Sequence, residues 1–222
     1  MPIAGKGMLL TSMDVDPVHE ADFNRWYDRE HLEERVAIPG FTEARRYVSE
    51  EGSMPKYLSL YSTETFEVLD SLAYRAALAN QTEWSKQNIA RFKNMVRSVA
   101  RITISRGKGR GAWVSVIRFH VYPEVRNELR SRLYEALNPE GVDGIISMHL
   151  LESDPQLSRP LTANTPANDE GASDWFWLLD HVDANPPHFL LPRMKKCEPL
   201  IARVVANGSF RLLCDIAKAD IS

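Results

Sequence analysis

The chain has 222 residues, of which 44% are hydrophobic and 26% charged, enough apolar content and length to bury a core without disulfide or metal staples. Lys plus Arg number 27 against 30 Asp plus Glu, a formal net charge of −3, which offers no electrostatic basis for holding nucleic acid or an anionic membrane. No apolar run approaches the roughly 18 residues of a membrane span. The opening residues lack the apolar stretch of a secretory signal. Only Cys197 and Cys214 are present, without a CxxC pair, so a reduced, cytoplasmic protein is expected.

Periodicity predicts strands and helices in one order, twice. A strand over 8–15 leads to a helix over 20–37, stopped by Pro39-Gly40. Strands over 41–49 and 57–62 follow, then a helix over 66–79 with Thr65 as its cap. A helical turn or two around 84–92 and a strand over 99–105 complete the first unit. The glycine-rich run Gly107-Lys108-Gly109-Arg110-Gly111 reads as a linker. The order then restarts with a strand over 112–120, a helix over 124–137, and strands over 145–152 and 175–182. A helix over 187–206, broken at Pro192 and Pro199 and ended by Gly208, precedes a last strand over 210–216.

Two successive β-α-β-β-α-β units define an α+β chain of tandem ferredoxin-like repeats. The expected domains are 1–106, a linker at 107–111, and 112–222. Each four-stranded sheet needs a cover for the face its helices leave open, and the other copy supplies one, giving two sheets face to face in a pseudo-two-fold barrel. A homodimer would serve the same end.

The run Arg25-Trp26-Tyr27-Asp28-Arg29-Glu30-His31-Leu32, followed by Ile38-Pro39-Gly40-Phe41 and Ala44-Arg45-Arg46-Tyr47, resembles the dimeric α/β-barrel superfamily, and within it the EthD-like and related small-protein families. Trp26 and Tyr27 match an aromatic pair and His31 a following histidine that those families carry late in the first helix. The resemblance spans about residues 7–105. The second half is similar only in element order, with Leu129-Arg130-Ser131-Arg132-Leu133-Tyr134 in place of the motif. The resemblance implies the fold but no single reaction, because such families include decarboxylases, cyclases, isomerases, cofactor-free monooxygenases and haem proteins.

On a regular helix Phe23, Trp26, Tyr27, Glu30, His31 and Glu34 share one face. A carboxylate on an aromatic face is costly unless paired, and burial moves its pKa toward the range of a general acid or base. Histidine already titrates there. The expected catalytic group is therefore His31 with Glu30 or Tyr27 as partner. The plainer alternatives are a Glu30 or Glu34 that pairs with Arg35, Arg45 or Arg46, and an Asp28 that pairs with Arg25 or Arg29.

Trp26 is the expected pocket wall. Arg45 and Tyr47 share one face of their strand and Arg46 takes the other, so an inward arginine is a candidate clamp for a substrate carboxylate. In the second half His149 is a candidate substrate contact. His120, His149 and His181 are strand histidines without the spacing of a metal-ligand motif, so no metal site is assigned. The polar stretch 153–173 reads as a lid or a disordered insertion, and Trp175 and Trp177 as core between the sheets.

No phosphate loop, dinucleotide fingerprint or nucleophile elbow is present. The expected function is a cofactor-independent enzyme of lyase, decarboxylase, cyclase or isomerase type. It would perform proton transfer on a small aromatic or carboxylated metabolite, as a monomer or homodimer. The alternatives are a haem-binding member of the same superfamily and a ligand-binding protein without catalysis.

Overall fold

The structure is a computed structural model that describes residues 3–136, 138–159, 172–184 and 197–221. Eight strands, every neighbouring pair antiparallel, close into a barrel in the order β1-β3-β2-β8-β5-β7-β6-β4, with β4 returning to β1. They are β1 (Gly7–Asp14), β2 (Phe41–Gly52), β3 (Tyr57–Thr63), β4 (Lys93–Gly107), β5 (Trp113–Val121), β6 (Ile145–Ser153), β7 (Trp175–His181) and β8 (Ile201–Ala217). Strands of the first half lie together as β4-β1-β3-β2 and those of the second as β8-β5-β7-β6. Two seams join them, β2 to β8 and β4 to β6. The sheets therefore meet edge to edge in one closed barrel, which leaves no unpaired strand edge.

Alternation along each strand sorts side chains between the lumen and the outer face. Met8, Leu10, Leu58, Leu60, Val116 and Leu178 fill the lumen as one apolar cluster. The outer face of the first half packs against α1 (Pro17–Trp26), α2 (Leu32–Ala37) and the Phe66–Asp70 turn through Phe23, Trp26, Val36 and Phe66. The outer face of the second half packs against α5 (Arg126–Ala136) through Leu129 and Leu133. Trp175 and Trp177 belong to this outer cluster, and Phe176 and Leu178 to the lumen. The two tryptophans do share a face, as expected, but it is the helix-covered one.

Several elements depart from the sequence reading. The first helix begins at Pro17, where a proline lacks only an N–H that would be unpaired anyway, and it contains a π turn at Tyr27–His31. The 66–79 segment is a 3-10 turn followed by α3 (Leu72–Ala79), capped by the Ser71 hydroxyl; Thr65 makes no side-chain cap. Thr82 caps α4 (Glu83–Ile89) in the same way. Residues 201–206 are strand, not helix, and Gly208 lies inside β8 and does not end a helix. Val204 and Val205 suit that strand. The rest of that expected helix, 187–196, is outside the described residues, as is 160–171 of the expected lid. The linker is more than a tether: Arg110 binds Glu43 and Asp215, and the Gly109 carbonyl accepts from Ser147. Among the described residues no helix is long and apolar enough to cross a membrane.

Candidate functional site

Two polar constellations occupy opposite sides of the same sheet. The first is in the lumen. Arg45, 1% exposed, reaches across from β2 to Asp180 on β7, with Nη1 3.3 Å from Oδ1. Its Nη1 also donates to the Tyr47 hydroxyl at 3.2 Å, and its Nη2 lies 3.6 Å from Glu43. The Ser147 hydroxyl lies 3.2 Å from an Asp180 oxygen and 3.0 Å from His149 Nε2, whose other ring nitrogen meets Ser105 at 3.0 Å. Burial lowers the His149 pKa, although Asp180 opposes it. Burial alone would raise the Asp180 carboxyl, but His149 and Arg45 together hold it below the usual carboxylate range. The inward arginine of the sequence reading is thus Arg45, and the carboxylates it meets are the chain's own.

The second constellation lies between the outer face of the first half and the helix that contains the π turn. An inserted π residue rotates the following side chains by about one position, so the buried set continues from Phe23, Trp26 and Tyr27 to His31, Leu32, Arg35 and Val36. Glu30 and Glu34 are thereby left at the edge, half-buried. Burial first, and Glu30 second, raise the Glu34 pKa. The Glu30 Oε1 accepts from Trp26 Nε1, Thr82 and Ser85 at 3.2, 2.6 and 3.2 Å. Its bonds fasten Trp26 to the start of α4; none of them goes to His31.

The His31 ring is stacked 4.1 Å from Trp26 and faces the edges of Tyr27 at 5.0 Å and Tyr61 at 6.2 Å, centroid to centroid. Its Nδ1 has no hydrogen-bond partner among the described residues. Burial first, then the charges of Arg35 and Arg46, hold the imidazole well below its ordinary pKa, so it is neutral at pH 7. Arg46 projects from β2 to this outer side. Its guanidinium lies 4.4 Å from the Tyr27 ring centroid and just over 5 Å from those of Phe23 and Tyr57. Asp28 at 3.0 Å and the Asn24 side chain also bind it.

The sequence reading missed three further residues here. Ser59 and Tyr61 on β3 and Thr11 on β1 point to the same outer face, because Thr11 pairs with Ser59 and Ser59 with Arg46 in the ladder. All three are buried; the Tyr61 hydroxyl meets the side chains of Tyr27 and Ser59, while the Thr11 hydroxyl and Arg46 Nε have no partner among the described residues. Burial, with Tyr27 beside it, pushes the Tyr61 phenol well above its ordinary pKa. Polar residues in an otherwise apolar strand pattern were the available signal. Of the expected site residues, His31, Tyr27, Trp26 and Glu30 come together here. Arg45, Tyr47 and His149 are on the other side of the sheet, in the lumen.

The architecture is mixed α+β with a closed eight-stranded antiparallel barrel, the fold of ferredoxin-fold dimeric α/β-barrel proteins. An anthrone oxidase-like protein superposes with a TM-score of 0.65 at 9% identity, over 98% of this chain and 95% of its own. A protein of Lactobacillus acidophilus assigned provisionally as a monooxygenase gives 0.60 at 6% identity, over 96% and 97%. One assigned provisionally as a chlorite dismutase gives 0.57 at 12%, over 97% of both chains. No family model and no curated protein matches the sequence. At such identities the likeness is one of fold.

Haem, the cofactor of the alternative reading, requires an axial ligand with a free donor atom and an open face. His149 and His181 have both ring nitrogens engaged. His120 meets Asp174 through Nδ1 from a partly exposed position, and the His31 ring lies against those of Trp26, Tyr27 and Tyr61. His149 and His181 do not fit an axial ligand; His120, held by Asp174 through Nδ1 with its side chain 42% exposed, is the histidine that could serve as one. The other two also lie on different faces: His149 in the lumen, His181 beside Ser115 outside it. Among the described residues no three metal-ligating side chains converge.

Proposed function

We propose that the protein is an enzyme that moves a proton on a small aromatic molecule, with His31 as the base. One observation carries the reading: a buried, neutral imidazole whose Nδ1 is unpartnered, enclosed by Trp26, Tyr27 and Tyr61. A histidine placed only for packing would be expected to spend that nitrogen on a carbonyl or hydroxyl. Trp26 and Tyr27 form the wall, and Glu30 positions Trp26. Arg46 and Arg35 supply positive charge near the base, which favours negative charge developing on a substrate beside it. Decarboxylation, cyclisation, isomerisation and lyase chemistry all contain such a transfer, and none of them requires a cofactor in this reading. The chain is read as two tandem ferredoxin-like units, 1–106 and 112–222, of EthD-like kind, working as a monomer or homodimer on a small-molecule partner.

The test is solvent deuterium exchange into a panel of enolisable aryl ketones and hydroxyaromatics, followed by NMR, which detects the proton transfer whatever the product. His31→Gln should reduce exchange on any accepted compound by about 100-fold or more while circular dichroism stays native. Unchanged exchange in that variant would remove His31 from the chemistry. Saturable binding without exchange in the native protein would make it a ligand carrier.

A further inference from the structure

We propose that the barrel carries a second acid–base centre at its rim, where His120 Nε2 takes a proton from a small carbonyl compound with an acidic C–H. Asp174 and Arg118 are its positioning residues. The centre is independent of His31, which lies under the first-half helix.

Arg118 and His120 are two residues apart on β5 and share one face. Both reach the carboxylate of Asp174, the residue just ahead of β7. Arg118 Nε donates to Oδ2 at 2.7 Å, and His120 Nδ1 lies 3.1 Å from Oδ1. The side chains of Arg118 and Asp174 are 8% and 5% exposed, whereas that of His120 is 42% exposed. The Asp174 carbonyl accepts from the Ser153 hydroxyl, which lies 2.6 Å from that of Ser98. The carboxylate is therefore held from both its side chain and its backbone.

The way this carboxylate is shared carries the inference. A buried arginine and carboxylate are best matched as a bidentate pair. Arg118 gives Asp174 only its Nε, and its Nη2 is buried without a partner among the described residues. The second carboxylate oxygen goes instead to a partly exposed histidine that water would satisfy equally well. A buried hydrogen bond is given up, and what is gained is an imidazole fixed in one orientation and one tautomer. With Nδ1–H donating to Asp174, the lone pair sits on Nε2, on the side of the ring away from the carboxylate.

An oriented lone pair takes a proton or a metal ion. Among the described residues no three metal-ligating side chains converge, which favours the proton. The C–H bond beside the carbonyl breaks, the proton bonds to Nε2, and the electron pair moves into an enolate with its charge on oxygen. Arg118, Asp174 and the imidazolium then carry one net positive charge beside that anion. Carboxylic acids are already ionised at pH 7 and have no such proton to give. The substrate class is therefore a small neutral ketone or aldehyde.

The probe is hydroxyacetone in deuterium oxide, with exchange of its C–H protons followed by NMR in the presence of the full-length protein. Exchange should saturate with probe and exceed that given by free imidazole at equal concentration. His120→Ala should reduce it by about 100-fold or more, and added imidazole should restore part of the loss. His19→Gln, at another partly exposed histidine, should leave it unchanged. Nitrogen-15 shifts of the neutral His120 ring should place the lone pair on Nε2.

Exchange no faster than that of free imidazole overturns the proposal, as does exchange unmoved by His120→Ala or a lone pair on Nδ1. A loss that imidazole does not restore assigns His120 to holding Asp174 in place, and overturns it too. Loss of exchange in His31→Gln with none in His120→Ala would place the proton transfer at His31 and refute the rim centre alone.

Discussion

Three buried histidines make the stability of this protein depend on pH in a defined window. His31, His149 and His181 all have pKa values held below the ordinary histidine value, with burial the first cause in each case. Below about pH 6.5 the unfolded chain takes up a proton on each of them, and the native state does not. Stability is therefore full above that value and falls as the solution is acidified, until the folded-state values are reached. Between pH 7 and about pH 5.5 a histidine that stays neutral in the fold costs about 1.2 kcal/mol.

His31 is depressed furthest and contributes that full amount. His149 and His181 are opposed by neighbouring acceptors and contribute part of it. The expected loss lies between about 1.2 and 4 kcal/mol, out of roughly 5–15 kcal/mol for a domain. Depressed carboxyls such as Asp180 act only at lower pH, and the raised carboxyl of Glu34 opposes the trend weakly. The assay is urea denaturation at a series of pH values, with His31→Gln beside the native chain. The variant should lose about 1.2 kcal/mol less over the same interval. A native stability that is flat within about 0.5 kcal/mol from pH 7 to pH 5.5 would refute the burial of these groups as neutral species.

Asp180→Asn should destabilise by about 3 kcal/mol, because it leaves the buried Arg45 guanidinium with the Tyr47 hydroxyl and, for its charge, the longer Glu43 contact. Thermal melting should show a drop of several degrees, and a change under about one degree would mean that water reaches the lumen. Glu30→Ala should cost about 1–3 kcal/mol and loosen α4, since three donors lose one acceptor. Faster amide exchange confined to residues 83–89 is the specific sign.

The order of elements in the first half was legible because its short apolar runs are bounded by turn residues and Pro39-Gly40 stops the helix. The two-residue period of a strand also separated Arg45 from Arg46 correctly, without saying which one faced the helix. The π turn was not legible: a regular 3.6 period placed Glu34 beside His31, and one inserted residue moved it to the edge. The end of the second half misled for a different reason. The mostly apolar run Ile201-Ala202-Arg203-Val204-Val205-Ala206 fits either element when read locally, and pairing with β5 decides for strand. Ser59, Tyr61 and Thr11 carried no motif at all. Their convergence on one buried face is a property of the strand register that no spacing encodes.

Arg45 and Arg46 show why the outer face, and not the lumen, is the place for a ligand. Both guanidiniums are about 1% exposed. Arg45 is matched by Asp180, itself 1% exposed, and a ligand anion that took its place would leave a carboxylate buried and unpaired at a cost of several kcal/mol. Arg46 is matched by Asp28, whose side chain is 52% exposed. If an anion displaced Asp28, that carboxylate would turn to water at little cost, since exposed ion pairs contribute about 0–1 kcal/mol. The two adjacent arginines therefore differ in what competition costs. In the lumen the charge is locked by a partner that has nowhere else to go. Beneath the helix it is held by one that can let go, next to a neutral histidine.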